Sequence, residues 1–168
     1  ALGLDLQGGL HMLLGVNTHE AVSSKIKTIA TTVKYFSDDE ELLVDGLLIN
    51  EDNVVFSVLD ADEIAKMDLM LNEIKGLAIT KNGLEYTIKL TPEDIIKTKD
   101  LAVAQAVETI RNRLDQFGLS EPNVVRQGES DIIVELPGIK TAEDEKAARE
   151  LISKPANLEL MAIDEERN

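Results

Sequence analysis

Apolar side chains recur along this chain with helical spacing in four places. Val22, Ile26, Ile29, Val33 and Phe36 step alternately by four and three residues, as do Val103, Val107, Ile110, Leu114 and Phe117, so each set forms one stripe along a helix. Asn17 with Glu20 predicts a capping box for the first helix, and Thr91-Pro92-Glu93-Asp94 predicts a cap with proline at the first position of the second. Gly118 ends that helix, with Leu119 set to touch Leu114 as in a Schellman motif. Two shorter helices are predicted. One follows Asp60, with Ile64, Met67, Leu71 and Ile74 apolar and an end at Gly76. The other follows Thr141, with Ala148, Leu151 and Ile152 apolar and a stop before Pro155.

Strands fill the gaps. Leu10-Met12-Leu14-Val16, Leu84-Tyr86-Ile88-Leu90 and Ile132-Val134-Leu136 alternate with polar or outward positions, and Val54 to Leu59 is an apolar run broken only by Ser57. Turn-forming residues place hairpins at Asn50 to Asn53, at Lys81-Asn82-Gly83 and at Gln127 to Asp131. The order reads β, α, β, β, α, β twice over. Adding 81 to each position of the first helical stripe gives the second stripe, and the same offset carries Asp60 onto Thr141 and Leu77 onto Leu158, a repeat of pattern more than of residues. Each βαββαβ unit is a split βαβ. The fold class is therefore α+β, built of ferredoxin-like units whose antiparallel sheets are each covered by two helices.

Composition narrows what such a fold could do. A chain of 168 residues, 43% hydrophobic and 29% charged, has room for one ordinary domain or two small units and folds without crosslinks. Its net charge is −15, spread evenly along the chain, and such a field repels phosphate backbones and anionic lipid, so nucleic acid is not expected as a partner. Having no cysteine, it has no thiol nucleophile, disulfide or iron–sulfur ligand. The longest run without formal charge, Leu6 to His19, is shorter than the ~20 residues of a spanning helix. From the start at Ala1 without Met or signal peptide, a piece of a longer protein is expected.

Candidates for chemistry all have plainer readings. Gly3 to Gly8 has the G-x-x-x-x-G spacing of a phosphate loop, but Gly9 and Leu10 stand where Lys and Ser/Thr are needed, so a tight turn or bulge is expected instead. His11 belongs to a strand, facing away from its apolar side, and His19 to a helix's first turn; they are too far apart for a paired metal site. Asp38-Asp39-Glu40-Glu41 lacks the glycine and ligand alternation of a calcium loop. Asp60, Asp62 and Glu63 sit where carboxylates favour a helix start. No serine has a histidine partner for a triad. Arg111, Arg113 and Arg126 form the one basic cluster, with the first two expected on the polar side of the long helix near Asp115 and Glu121, pairing within the fold or offering a docking surface. No cofactor, metal or enzymatic activity is expected.

Three blocks taken together carry a resemblance. Leu2-Gly-Leu-Asp-Leu-Gln-Gly-Gly9 before a strand, Arg113-Leu-Asp-Gln-Phe-Gly118-Leu-Ser-Glu121-Pro122-Asn-Val, and Ile132-Ile-Val-Glu-Leu-Pro137-Gly138 with Leu158-Glu-Leu resemble the SecD family, membrane subunits that assist Sec-dependent protein export in bacteria. The positions that carry it are Gly3, Leu4, Asp5, Leu6, Gly8, Gly9, Arg113, Gly118, Glu121, Pro122, Pro137 and Gly138, with structural or conformational rather than catalytic roles. Gln7 stands where many members of that family carry Arg.

The resemblance implies the base portion of the first periplasmic region, on the outer side of the inner membrane and tied to it only through transmembrane helices absent from this sequence. It implies work beside SecF and the SecYEG channel on unfolded secreted polypeptides, driven by a proton gradient that membrane helices would conduct. It also implies that residues 1–17 and 91–168 form one ferredoxin-like base unit and that 18–90 is an inserted unit of αββαββ order, in competition with the repeat reading for the first strand. The alternative is a stand-alone ferredoxin-like sensor that binds a ligand, for which an aromatic content of 3% offers little pocket.

Overall fold

A computed structural model describes residues 8–119 and 121–154 in full and the backbone of residues 160–167. Gly3, Leu4, Asp5, Leu6 and Gln7, together with the positions of Pro155 and Leu158, lie outside the described residues. The element order is β1 (Leu10–Val16), α1 (Thr18–Asp39), β2 (Val44–Ile49), β3 (Val54–Val58), α2 (Ile64–Asn72), β4 (Leu77–Asn82), β5 (Glu85–Leu90), α3 (Pro92–Phe117), β6 (Asn123–Gln127), β7 (Asp131–Leu136), α4 (Ala142–Ile152) and β8 (Leu160–Arg167). The chain is α+β, in two compact units made of residues 1–18 with 99–168 and of residues 19–98.

In the first unit the strand order is β6-β7-β1-β8, and every adjacent pair is antiparallel. The order follows the ferredoxin pattern: β1 and β7 occupy the middle, and the helices of each crossover return over one face. Leu10, Met12 and Leu14 of β1 and Ile132, Val134 and Leu136 of β7 bury their side chains under Val103, Ala106, Ile110 and Leu114 of α3 and Ala148 and Ile152 of α4.

The second unit has the order β2-β3-β5-β4. Val54, Phe56 and Val58 of β3 and Tyr86, Ile88 and Leu90 of β5 form its inner sheet face, beneath Val22, Ile26, Ile29 and Val33 of α1 and Met67 and Leu71 of α2. Here β5 occupies the place that β1 holds in the other unit. The registers agree: Met12 pairs with Val134 and Leu14 with Ile132, as Tyr86 pairs with Phe56 and Ile88 with Val54. The unit is thus a circular permutation of the split βαβ, its first strand supplied from its own C-terminal end. The first turn of α3 belongs with it, since Asp94 bonds Lys25 at 2.7 Å and Ile95 packs on that core.

Local rules explain where the elements begin and end. Thr91 Oγ1 accepts from the Asp94 amide, Thr141 Oγ1 from the Asp144 amide and Asp60 Oδ1 from the Asp62 amide, each closing a helix start. Beyond α3 the Leu119 amide donates to Leu114 and the Gly118 amide to Asp115, with Gly118 at φ 84, a Schellman end with Leu119 packed on the core. The same pair of bonds ends α1, from Leu42 to Ser37 and from Glu41 to Asp38, although the left-handed position is held by Glu41 at φ 56.

One stripe member departs from expectation. Phe117 is exposed, and its counterpart Phe36 is only partly buried against its core. Alternating steps of four and three average 3.5 residues, whereas the helix turns every 3.6, so the stripe drifts by about 40° over two heptads and its last residue leaves the buried face.

Candidate functional site

Four of the described motif positions, Gly8, Gly9, Pro137 and Gly138, lie around the start of β1, whereas Arg113 and Gly118 do not. Gly9 is buried with φ 83, and a Cβ there would stand 2.5 Å from the Leu136 carbonyl oxygen and 2.6 Å from Pro137 Cα. Backbone thus lies directly on backbone, and no residue with a side chain fits without moving one of the two segments. Leu10 pairs with Leu136 at the next step of the ladder. In this way the glycine pair before β1 meets the Leu136-Pro137-Gly138 turn after β7, which Ile139 closes by donating to Leu136 and burying its side chain. Gly138 has open space around its missing Cβ, so its part in the turn is not one of close approach.

On the opposite face of the sheet from the core, a polar row crosses three strands. Asn123, Glu135 and His11 are successive register partners on β6, β7 and β1. Asn123 Nδ2 donates to Glu135 Oε1 at 2.6 Å, and His11 Nδ1 lies 3.1 Å from Glu135 Oε2. His11 Nε2 is 3.2 Å from the Gly8 carbonyl oxygen. Strand alternation sends His11 to this face, as expected. Its partnership with Glu135 depends on a register between distant segments, and no local pattern encodes that.

Arg113 departs from the sequence reading. It is buried, not on the polar side of the helix, and its Nη1 donates to the carbonyls of Leu151 at 3.5 Å and Ile152 at 3.1 Å. Those are among the last carbonyls of α4, which have no partners within the helix, and a cation there also meets the negative end of the helix dipole. Arg111 keeps to the surface, donating to Glu108 Oε1 and to the Val124 carbonyl. Arg126 holds the β6–β7 turn through Asp100, Gly128 and Glu129. The three arginines therefore serve three separate places. Glu121, at φ 54 and exposed, turns the chain ahead of Pro122 into β6.

The remaining candidates belong to the unit of residues 19–98. His19, Asp38, Asp39, Glu40 and Glu41 are exposed. Asp68, which no sequence pattern singled out, accepts from the buried Tyr86 hydroxyl at 2.7 Å and from Lys81 Nζ at 2.8 Å. Burial works to raise its carboxyl pKa, but the hydrogen bonds from Lys81 and Tyr86 outweigh that and hold it below its ordinary value. Tyr86 is pushed up, by burial first and by its bond to Asp68 second. Among the described residues no group of three or more metal-ligating side chains forms, and no helix is long and apolar enough to cross a membrane.

Comparison with known proteins bears on the same residues. The family model of the N-terminal P1 domain of protein translocase subunit SecDF matches residues 103–165. The protein translocase subunit SecD of Desulfurispirillum indicum is 39% identical over 167 residues, which cover 98% of this chain and 32% of that protein. The chain belongs to the SecD family. The SecD of Calditerrivibrio nitroreducens is 36% identical over 99% of this chain and 33% of its own length, and that of Pseudomonas aeruginosa 32% identical over 94% and 26%. The chain thus spans about a third or less of the curated SecD relatives it matches. Arg113, Gly118, Glu121, Pro122, Pro137 and Gly138 all fall within the stretch matched by the SecD P1 model, while Gly8 and Gly9 precede it.

Proposed function

We propose that this chain is a periplasmic module of a Sec translocase accessory subunit and works mechanically, as a scaffold that helps unfolded secreted polypeptides move outward at the expense of the proton gradient. Its partners in this reading are SecF and the SecYEG channel, and its tie to the inner membrane runs through helices flanking it in the whole protein. We also propose that residues 1–17 with 91–168 are the base unit and that 18–90 are inserted into it. The names of the relatives support the translocase role.

The observation that carries the mechanical reading is the seat of Gly9 on Leu136 and Pro137. A segment entering from the membrane through Gly8 and Gly9 continues as β1, which lies between β7 and β8 in the sheet. Displacement of that segment is resisted by ladders on both edges of β1 and by backbone contact at Gly9, so it passes to the sheet as a whole and is not absorbed at a loose end. Chemistry at this place is not required of a part that transmits force.

The test is functional replacement. The full-length protein, with its flanking sequence, is expressed in bacteria depleted of their own SecD, and secretion is followed in inverted membrane vesicles with and without a proton gradient. Restored export that needs the gradient is the expected result. Export unchanged from the depleted vesicles, despite stable full-length protein in the membrane, contradicts the reading.

A further inference from the structure

His11 faces acceptors on both sides. Its Nδ1 meets the Glu135 carboxylate at 3.1 Å and its Nε2 meets the Gly8 carbonyl at 3.2 Å, and neither oxygen can donate a proton while Glu135 is ionised. A neutral imidazole has one N–H and one lone pair, so it satisfies only one of the two. Imidazolium has both donors. We propose that protonated His11 is a pH-sensitive clasp that ties the Gly8-Gly9 turn to β7 and opens when the proton leaves.

The surroundings fit such a clasp. From β7 the facing charged group is Glu135; from β6 comes the neutral Asn123, whose amide donates to the second Glu135 oxygen at 2.6 Å and fixes the carboxylate in place; β8 sets Glu166 at the register position of His11. The side chains of His11 and Glu135 are 29% and 38% exposed, open enough for solvent protons to reach them. What the clasp holds is the turn whose next residue, Gly9, lies against Leu136 and Pro137. As pH rises through the range in which an imidazole gives up its proton, one ring nitrogen turns a lone pair toward an oxygen and one of the two links is lost. Gly8 is then no longer joined to Glu135 through the ring, and the tie of the turn to β7 is its backbone seat. This property belongs to the sheet itself and does not depend on the translocase reading.

NMR spectroscopy of the 168-residue chain tests the clasp. Long-range proton–nitrogen spectra distinguish imidazolium from each neutral tautomer, and the exposed His19 supplies the comparison within the same sample. At about pH 5.5 both nitrogens of His11 are expected to carry protons. Amide exchange at Leu10 and His11, corrected for intrinsic rates, is expected to be about tenfold slower there than at about pH 8.5, the gain of a charge-assisted bond over a neutral one. His11→Phe should abolish the pH dependence, and Glu135→Gln should weaken it in a sheet of unchanged size. A neutral His11 at pH 5.5 beside a protonated His19, or an equal pH dependence in the wild type and in whichever variants fold, would overturn the proposal.

Discussion

Arg113 reaches the carbonyl oxygen of Ile152 across 39 residues of sequence, donating at 3.1 Å from a side chain that is itself buried. The bond joins the C-terminal part of α3 to the last turn of α4 and places a positive charge where that helix ends. Replacing the guanidinium with an apolar side chain of similar length takes from the buried Ile152 oxygen its donor among the described residues, while the Leu151 oxygen keeps the Lys154 amide. Arg113→Met is expected to lower stability by about 1–3 kcal/mol in urea titration, and Arg113→Lys to recover part of the loss because an ammonium can still donate. Equal stability of the wild type and Arg113→Met would show that water replaces the arginine without cost.

The last two members of the α3 stripe give a contrast within one helix. Leu114 is fully buried, whereas Phe117 is 43% exposed. Leu114→Ala is expected to cost about 2–5 kcal/mol, and Phe117→Ala about 0.5 kcal/mol. Comparable losses at the two positions, by chemical denaturation, would contradict the packing described.

Gly118 and Glu41 occupy equivalent left-handed positions after α3 and α1, and nothing lies within 4 Å of a Cβ at Gly118. Backbone strain alone therefore sets the effect. Gly118→Val is expected to destabilise by at least about 1–2 kcal/mol, and Glu41→Gly to stabilise by up to about 1 kcal/mol. Thermal melts that move in the same direction for both substitutions would refute the shared cap.

Asp68 and Tyr86 give stability two opposite dependences on pH. The Asp68 carboxyl is depressed in the folded state, so its contribution is complete above the unfolded value near 4 and is lost as pH falls through the folded one. The Tyr86 hydroxyl is raised, so its contribution is complete below the unfolded value near 10 and is lost as pH rises beyond it. Denaturation of Asp68→Asn between about pH 2 and 5, and of Tyr86→Phe between about pH 9 and 11.5, should show shallower slopes than the wild type. Slopes identical to the wild type would exclude the pair as their source.

Much of this was legible in the residues because it is local. The caps at Asp60, Thr91 and Thr141, the Schellman end at Gly118 and the three hairpins follow from side chains within four or five positions of one another, and the order of strands and helices follows from periodicity. Partnership between distant segments was not legible in this way. Nothing near Leu10 states that β1 pairs with β7 and β8 and leaves its place in the second unit to β5. Arg113 was read from helix phase as a surface residue, yet a long stem beneath a charged head can be buried wherever carbonyls await it, and those of Leu151 and Ile152 arrive from a later segment. Likewise His11 gave its facing direction through alternation, but Glu135 and Asn123 became its neighbours only through register. The glycine pair carries a partial signal: a tight turn or bulge is expected there, and the backbone that Gly9 meets is that of Leu136 and Pro137.

Gly9 and Gly8 differ where sequence alone treats them alike, and that difference tests the mechanical account most directly. At Gly9 a side chain meets the Leu136 carbonyl and Pro137 Cα and strains a backbone at φ 83, whereas Gly8 is exposed. The decisive measurement is gradient-driven export by vesicles carrying full-length protein with Gly9→Val, beside Gly8→Ala and the wild type, with assembly checked by co-purification of the complex. The account expects export to fall at least tenfold for Gly9→Val while the complex remains assembled, and to stay close to wild type for Gly8→Ala. Wild-type export from assembled Gly9→Val complexes would contradict it.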